Sequence, residues 1–446
     1  MKSTTAIMVI VIIAIAVCAV PVTRSLSSRL PPASSSSYIL VGGQNGTWFG
    51  PGQAPRLERI DLSTDSVTSL IPAPTEGTVW GGGWNGSQWL VSGWGEDYGP
   101  EGSNPYIFLF NGVNQVDGGS LVQYKPESTW HGGDIFAASY NGREWLVSGL
   151  GSGYLSSYGS MNHMALAIFN GSNFTDLSGS VPDQQDAILY TNAWNSRYWL
   201  VGGGYKTDGV LFSFDGSKFV DLTSSISKAV PTFSSVQAVA WNGNYWLVGG
   251  VNFLAKYDGN TFTDLTTDLD ALSSGACCST VNAIAWNGNT WLLGGGLPVA
   301  QLGGSTAWIA EYSAAGFTNL TSSISAGMLA NSSVLSITSV GGSWIIGGYS
   351  NGKGSLYVDT DGAFTNLSRL VSTYTYVDWV GADATPSYSQ PLVKGSQLPF
   401  SDQRNSQSFE GRITELSMLS RVSVSVTSAN SLWRLARFTA CTSSAR

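Results

Sequence analysis

The sequence predicts an all-β protein, a seven-bladed β-propeller with four-stranded blades. One phrase, an aromatic residue followed by three mostly apolar residues and a glycine, occurs seven times and starts at Tyr38, Trp89, Trp145, Trp199, Trp246, Trp291 and Trp344. The copies lie 51, 56, 54, 47, 45 and 53 residues apart, and a period near fifty with strand-like content is typical of a propeller blade. Turn dipeptides on both sides of the phrase, and a spare strand after the last copy, indicate the same architecture.

The first segment of the chain has the composition of an export signal. Within residues 1–22, Lys2 is followed by an apolar run over residues 6–20. A positive start before an apolar run is typical of a secretory signal, and this run is shorter than the ~20 residues of a membrane span. Because residues 17–19 offer a cleavage site, residues 1–22 are predicted to be a signal peptide or, if uncleaved, a signal anchor. Residues 23–37 are rich in Ser and Pro and are predicted to be a tether.

Each repeat is predicted to hold four short strands, a to d, with almost no helical periodicity between residues 38 and 381. Strand a is an apolar run such as residues 236–241, and strand b is the repeated phrase. Strand c, such as residues 253–257, and strand d, such as residues 261–266, follow a loop of variable length. Asn-Gly or Asp-Gly pairs predict two-residue type I′ hairpins with φ > 0 at both residues. They start at Asn85, Asn141, Asn242 and Asn287 between a and b, and at Asn111, Asn170, Asp215, Asp258 and Asp361 between c and d.

The two ends of the repeat region are predicted to share one blade. The first copy of the phrase has no strand a before it, whereas residues 374–381 follow the last repeat as a spare strand. Trp379 in that segment aligns with Trp241 and Trp286, which end strand a in other blades. Residues 374–381 should therefore supply strand a of blade 1 and close a ring over residues 38–381. The alternative is six blades, with residues 38–71 outside the ring.

The repeat resembles the kelch repeat. In that family an apolar strand ends in Gly-Gly, a Tyr-Asp or similar pair follows in strand c, and a Trp follows in strand d. Here Trp246-Leu-Val-Gly-Gly250, Tyr257-Asp258 and Phe262 have this order, with Phe in place of the strand-d Trp. The chain also resembles archaeal and bacterial cell-surface propellers built on Trp-Asn-Gly phrases. Such motifs indicate the fold and leave function open, since kelch-like proteins range from oxidases to adaptor modules.

The last segment, residues 382–446, departs from the repeat. It holds 2 of the 54 glycines, and seven Lys/Arg stand against four Asp/Glu. It is predicted to be a disordered or weakly structured basic tail. A small appended element and an aberrant C-terminus from a reading-frame error are the alternatives.

Composition favours an exported protein. Charged residues make up 11% of the chain and the net charge is −8, with no basic stripe in the repeat region, which disfavours nucleic acid as a partner. Seven Asn-X-Ser/Thr sequons suit a glycoprotein, although Asn-Gly turns before Ser or Thr also create sequons by chance. They are at Asn45, Asn85, Asn170, Asn173, Asn319, Asn331 and Asn366. The predicted location is extracellular or at the cell surface, with a potential membrane anchor in residues 1–22.

The predicted ligand site lies in the long loops of blades 2 and 3. In propellers the b–c loops and d–a connections share one face, and exposed rings with carboxylates suit a sugar or peptide. The predicted residues are Trp48, Trp94, Glu96, Asp97, Tyr98, Trp130, His131, Asp134, Tyr154, Tyr158 and His163, with Glu101 beside them. The competing interpretation is that Gly-rich loops carry aromatic residues to cover the blade tops.

The predicted function is a binding module for a glycan, a peptide or a cell-surface protein. The alternatives are an extracellular glycan-acting enzyme, with Glu96, Asp97, Glu101 or Asp134 as acid and base, and a structural envelope protein without a small ligand. No catalytic residue and no cofactor is assigned, and no Gly-X-Ser-X-Gly elbow is present. No metal is predicted either, because the two histidines and the acids come from separate loops without a close-spaced motif.

The adjacent Cys277 and Cys278 lie in the connection between blades 5 and 6. In an oxidising compartment they could form a vicinal disulfide that stiffens this loop. Two unpaired thiols, or one thiol bridged to Cys441, are the alternatives.

Overall fold

The computed structural model describes residues 38–46, 54–70, 77–95, 104–110, 133–152, 162–181, 187–205, 208–273, 280–299, 304–324, 331–360 and 362–382. Within these ranges 27 strands form seven antiparallel sheets. The innermost strand of each sheet contacts the innermost strand of the next, and the last contacts the first. The predicted seven-bladed propeller is therefore confirmed, and the six-blade alternative is wrong.

The first three blades contain the strands up to residue 176. Blade 1 has β1 (Tyr38–Asn45), β2 (Ala54–Asp61) and β3 (Ser66–Ser69), joined by a fourth strand from the end of the ring. Blade 2 has β4 (Gly77–Trp84), β5 (Trp89–Gly95) and β6 (Asn104–Phe110) within the described residues. Blade 3 has β7 (Gly133–Tyr140), β8 (Trp145–Ser152), β9 (Asn162–Phe169) and β10 (Phe174–Asp176).

The other four blades each show strands a to d in order. Blade 4 has β11 (Ile188–Trp194), β12 (Trp199–Tyr205), β13 (Asp208–Phe214) and β14 (Phe219–Asp221). Blade 5 has β15 (Val236–Trp241), β16 (Trp246–Gly250), β17 (Phe253–Tyr257) and β18 (Phe262–Asp264). Blade 6 has β19 (Thr280–Trp286), β20 (Trp291–Val299), β21 (Gly304–Ser313) and β22 (Gly316–Asn319). Blade 7 has β23 (Ser332–Val340), β24 (Ser343–Ser350), β25 (Lys353–Thr360) and β26 (Ala363–Asn366).

Strand β27 (Tyr376–Ala382) closes the ring as strand a of blade 1. It pairs antiparallel with β1, and Trp379 lies opposite Gly42. The predicted closing strand is confirmed, although it begins at Tyr376 rather than at residue 374. Tyr374 instead precedes the strand, and its hydroxyl donates a hydrogen bond to the Val41 carbonyl at 3.0 Å.

Tryptophans of the repeated phrase fill the layers between blades. Six of them are at most 3% exposed: Trp89, Trp145, Trp199, Trp246, Trp291 and Trp344. The layer between blades 4 and 5 combines Leu200 and Leu211 of one blade with Val236, Trp246 and Val248 of the next. Because each layer is built from two successive blades, the ring must close for its last layer to be buried.

The Gly-Gly pair that ends the phrase has two separate packing roles. A Cβ at Gly249 would lie 2.6 Å from Val281 Cγ1 of the next blade, so the first glycine makes room for blade-to-blade packing. A Cβ at Gly250 would collide with the Ser235 carbonyl of its own blade. The same two contacts recur at Gly294, which meets Val334, and at Gly295, which meets Thr280.

The a–b hairpins differ from the prediction. Trp84 pairs with Trp89, so the loop has four residues, and only Gly86 has a positive φ, of 95°. The Asn85 Oδ1 accepts the backbone N–H groups of Ser87 and Gln88 at 2.9 and 2.6 Å. The type I′ assignment is wrong because Asn85 is not among the residues with a positive φ, which a type I′ turn requires at both of its central residues. The Asn85 side chain instead accepts backbone N–H groups within the loop.

Short helices follow strand d in three blades, which the sequence pattern did not predict. They are α1 (Thr223–Ala229), α2 (Thr266–Asp270) and α3 (Thr321–Ile324). Thr266 begins α2, and its hydroxyl accepts the Leu254 N–H of strand c at 3.2 Å, so strand d stops at Asp264. These helices are too short to show a helical period. Among the described residues, no helix has the length and apolar character needed to cross a membrane.

Candidate functional site

Three residues of the predicted loop site lie within the described part of the chain. Trp94 is the penultimate residue of β5, Asp134 is the second residue of β7, and His163 lies in β9 opposite Gly151. All three are therefore strand residues rather than loop residues. The side chain of His163 lies outside the described residues, as do Trp48, Glu96, Asp97, Tyr98, Glu101, Trp130, His131, Tyr154, Tyr158, Cys277 and Cys278.

Trp94 and Asp134 lie at the same end of their blades. We call this side the loop face, since β5 ends there at Gly95 and β7 begins there at Gly133. Leu90 packs in the layer between blades 2 and 3, and period-two alternation puts Trp94 on the same side. Ile135 packs in that layer too, so the neighbouring Asp134 is on the side of blade 4. The structure does not bring these two residues into one inter-blade layer.

A more regular constellation surrounds the axis. Each inner strand has a β-bulge at the same point of the repeat, and a bulged residue lacks a direct partner on strand b. We call these seven residues the bulge ring; in blade order they are Asp378, Trp80, Phe136, Tyr190, Gln237, Asn282 and Leu335. All seven are half-buried.

The bulge has a local cause in the sequence. The second glycine of the phrase faces the carbonyl just before the bulge; Gly203, for example, meets the Ile188 carbonyl. A side chain there would push the two strands apart. The close approach lets strand a fit one extra residue, Tyr190, between Leu189 and Thr191. The extra residue leaves the pleat, and a bulge of this kind redirects a side chain.

Three consecutive members of the bulge ring are aromatic. The Trp80 and Phe136 ring centroids are 5.5 Å apart with planes inclined at 46°, and the Phe136 and Tyr190 centroids are 5.5 Å apart at 54°. These contacts cross two blade boundaries, so we call Trp80, Phe136 and Tyr190 the aromatic arc. Within the described residues, no member of the arc belongs to a hydrophobic cluster between blades. The arc is therefore not needed to fill the blade layers.

Three of the other four members of the bulge ring are polar, and the fourth is Leu335. The Asn282 side-chain amide donates to the Ser333 hydroxyl and to the Val334 carbonyl, both at 3.0 Å, and so bridges blades 6 and 7. The Gln237 amide donates to Ser235 Oγ at 2.8 Å. These bonds leave both amide oxygens as acceptors, and Asp378 adds a carboxyl group beside the arc. The axis is thus aromatic on one side and mostly polar on the other.

The bulge ring lies near the loop face, because each bulge falls in the first half of strand a. Trp80 is the fourth residue of β4 and Phe136 the fourth of β7. The strands that flank the loops predicted in blades 2 and 3 end on this same loop face. Blades 2 and 3 also contribute Trp80 and Phe136 to the bulge ring. Sequence reasoning missed the ring, although one signal was present. At the position after the Val, Ile or Leu of strand a, residue type changes from blade to blade within an otherwise uniform repeat.

A buried charged group marks the seam between blades 1 and 7. Glu58 is 7% exposed and lies opposite Val41, at a register position that holds Ala255 in blade 5 and Ala310 in blade 6. Burial raises the pKa of Glu58, and the charge of Arg56 acts in the opposite direction. Burial also raises the pKa of Tyr374 well above its ordinary value, and the Glu58 charge adds to this. Glu58 and Tyr374 lie where the first and last blades meet, apart from the aromatic arc.

No group of three or more His, Cys, Asp and Glu residues that could hold a metal ion occurs in the described ranges. No protein-family model matches the sequence. No functionally curated protein matches it either.

Solved structures with a similar chain path include two archaeal peptidases. The uncomplexed acylaminoacyl peptidase of Pyrococcus horikoshii has a TM-score of 0.45 and 9% identity, over 74% of this chain and 50% of that one. The β-propeller domain of the trilobed protease from Pyrococcus furiosus has a TM-score of 0.38 and 11% identity, over 65% of this chain and 84% of the domain. This chain thus spans half the length of the acylaminoacyl peptidase, and likenesses at this level assign no activity to it.

Proposed function

We propose that the protein is an exported binding module that takes its ligand at the loop-face mouth of the axis, on the aromatic arc. The observation that carries the proposal is the asymmetry of the bulge ring. Trp80, Phe136 and Tyr190 form a continuous aromatic wall, and the amides of Gln237 and Asn282 stand on the other side. Sites of this kind combine apolar surface with a few polar groups that fix orientation.

The chemistry of the arc suits a sugar ring or an apolar side chain of a peptide. Aromatic faces offer large contact area at low conformational cost. The Gln237 and Asn282 oxygens can accept hydrogen bonds from ligand hydroxyl or amide groups. A glycan, a peptide or a surface protein with such a group is therefore the proposed partner, and nucleic acid is not.

The location remains part of the proposal. It rests on the signal-like residues 1–22, the Ser/Pro-rich residues 23–37 and the low content of charged residues, 11%. We propose an extracellular or cell-surface protein, glycosylated at some of its sequons. The enzymatic alternative stays a prediction, because Glu96, Asp97 and Glu101 lie outside the described residues.

Binding by the purified full-length protein tests the proposal. A glycan array and a peptide library would be probed with the natural sequence, Phe136→Ala and Trp94→Ala, and hits would be quantified by calorimetry. Phe136 is the central member of the arc, so we expect Phe136→Ala to weaken the best hit by about fivefold or more, the ~1 kcal/mol of an energetically important contact residue. If Trp94 contributes from the adjoining blade layer, its substitution should have a smaller effect.

Leu335→Ala is the matched control. It truncates a bulge residue of the same ring on the far side from Phe136, with the same backbone geometry. Its affinity should stay within twofold of the natural sequence. The proposal is wrong if no probe binds, or if Phe136→Ala and Leu335→Ala weaken binding equally.

A further inference from the structure

A second concave site lies between blades 5 and 6, away from the bulge ring. Its cavity measures about 840 Å³, within the usual range for small-molecule sites. It opens beside the a–b hairpins of both blades and the c–d hairpin of blade 6, on the face opposite the loop face. Four half-buried aromatic residues line it: Tyr245, Trp286, Tyr312 and Phe317.

The aromatic walls are held in fixed positions. The Tyr312 and Phe317 rings stack with centroids 4.4 Å apart and planes at 28°. Trp291 Nε1 donates to the Tyr245 hydroxyl at 3.0 Å, which orients that ring. Because the rings are braced by neighbours, a ligand would lose little free energy in ordering them.

The equivalent space between blades 4 and 5, which we call the blade 4–5 wedge, shows which contacts of the cavity are common to the repeat. There Trp246 Nε1 donates to the Tyr198 hydroxyl at 3.2 Å, and Tyr257 stacks on Phe262 at 4.2 Å. The aromatic frame is thus common to both wedges and belongs to the packing of the repeat. Its presence alone does not indicate a ligand.

Two charged residues distinguish the blade 5–6 cavity from the blade 4–5 wedge. Lys256 in β17 lies opposite Leu247 of β16, and its Nζ is 4.2 Å from the centroid of the Tyr245 ring. In blade 4 the same register position, opposite Leu200, holds Ser213. Asp268 lies two residues after Thr266 in the cavity wall, and Ser225 takes the matching place after Thr223. An ammonium group and a carboxylate therefore line the blade 5–6 cavity at positions where the blade 4–5 wedge has two serines.

Exposed amides complete the lining. Asn244 and Asn289 reach the cavity from the two a–b hairpins, and both are exposed. Their backbone N–H groups bond to Asn242 and Asn287, so the hairpins do not depend on their side chains. Burial, with Tyr245 and Asp268 adding, raises the pKa of Tyr312, so its hydroxyl remains a donor.

We propose that the cavity between blades 5 and 6 binds a neutral pyranose unit of a glycan. Ring faces stack on the apolar side of such a sugar, and amides, hydroxyl, ammonium and carboxylate groups pair with its hydroxyls in both donor and acceptor sense. The opposite charges of Lys256 and Asp268 leave no net attraction for an ionised ligand. This site is independent of the aromatic arc on the loop face.

The test is ligand-observed NMR and calorimetry on the full-length protein. The probes are the methyl glycosides of glucose, mannose, galactose and N-acetylglucosamine, with methyl glucuronide as the anionic probe and a tripeptide as the peptide probe. We expect one neutral glycoside to bind at least tenfold more tightly than the other two classes. Asn289→Ala, which leaves the hairpin bonds intact, should weaken it about threefold or more.

Matched ring deletions separate binding from folding. Tyr312→Ala and Tyr257→Ala remove the same stacked ring from neighbouring wedges, so both should lower stability alike. Only Tyr312→Ala should weaken the glycoside, by at least tenfold. Equal loss from Tyr312→Ala and Tyr257→Ala, preference for the glucuronide or the tripeptide, or no neutral glycoside bound would each overturn the proposal.

Discussion

Gly249→Ala tests whether the repeated phrase ends in glycine to admit the next blade. The new Cβ would lie 2.6 Å from Val281 Cγ1 and 2.8 Å from Val281 Cβ, and Val281 is fully buried. Carbon atoms pack best at about 3.5–4.0 Å, so the overlap is about 1 Å. Such overpacking should lower the free energy of unfolding by about 1–3 kcal/mol.

A double-mutant cycle isolates this contact. Val281→Ala alone removes two methyl groups and leaves a cavity, which should cost about 2–3 kcal/mol. In the double variant, the added Cβ at position 249 occupies space that Val281 vacates. The stability lost by the double variant should therefore be about 1–2 kcal/mol smaller than the sum of the two single losses, the size expected for residues in contact.

Denaturant unfolding of the full chain, followed by tryptophan fluorescence, measures all four corners of the cycle. Gly202→Ala combined with Val281→Ala is the control, because Gly202 meets Val236 instead and lies one blade further away. That pair should be additive within about 0.5 kcal/mol. Additivity in the Gly249 cycle as well would refute the packing role assigned to the first glycine.

Three further substitutions address the seam and the hairpins. Because burial raises the pKa of Glu58, its contribution is most favourable at acidic pH and is lost as pH rises through the raised pKa. Glu58→Gln should have the same free energy of unfolding as the natural sequence near pH 4 and a higher one at pH 7, as measured by urea unfolding. A difference in stability that does not change with pH would contradict this. Ser196 has a φ of 75°, so Ser196→Gly should stabilise by about 0.5–1 kcal/mol, seen as a higher denaturation midpoint; a lower midpoint would count against strain there. Trp379 contacts Trp89 edge-on at 5.6 Å, and Trp379→Ala should cost about 3 kcal/mol and lower the Tm in a calorimetric scan. A loss under about 1 kcal/mol would mean that the closing strand is held mainly by its backbone.

Much of the fold could be predicted because its signals are local. The phrase that begins at Trp246 and ends at Gly250 contains its own strand, its inter-blade ring and its close-approach glycines. The spare Trp379 was enough to assign the closing strand. The prediction failed where a side chain changes the backbone. Asn85 caps a four-residue loop instead of entering a type I′ turn, and Thr266 ends strand d and begins a helix.

The candidate site was much less predictable. The sequence drew attention to long loops, and of their residues only Trp94, Asp134 and the backbone of His163 lie in the described part. Phe136 was not singled out, because variation in residue type at its position does not by itself distinguish a bulged residue from a paired one. A bulge is a relation between two strands, visible only once their register is known.

The sequence by itself determined the number of blades, the closing strand and the residues that fill the layers. These depend on a short pattern that each blade repeats, so every copy reports the same local packing. Only the tertiary structure decided which side chains meet around the axis and in the blade 5–6 cavity. Phe136 meets Tyr190, and Lys256 shares a cavity with Tyr312, across blade boundaries that separate them by roughly one repeat. Contacts of that kind depend on how each blade is rotated about the central axis relative to its neighbour, which the sequence of a single repeat does not specify.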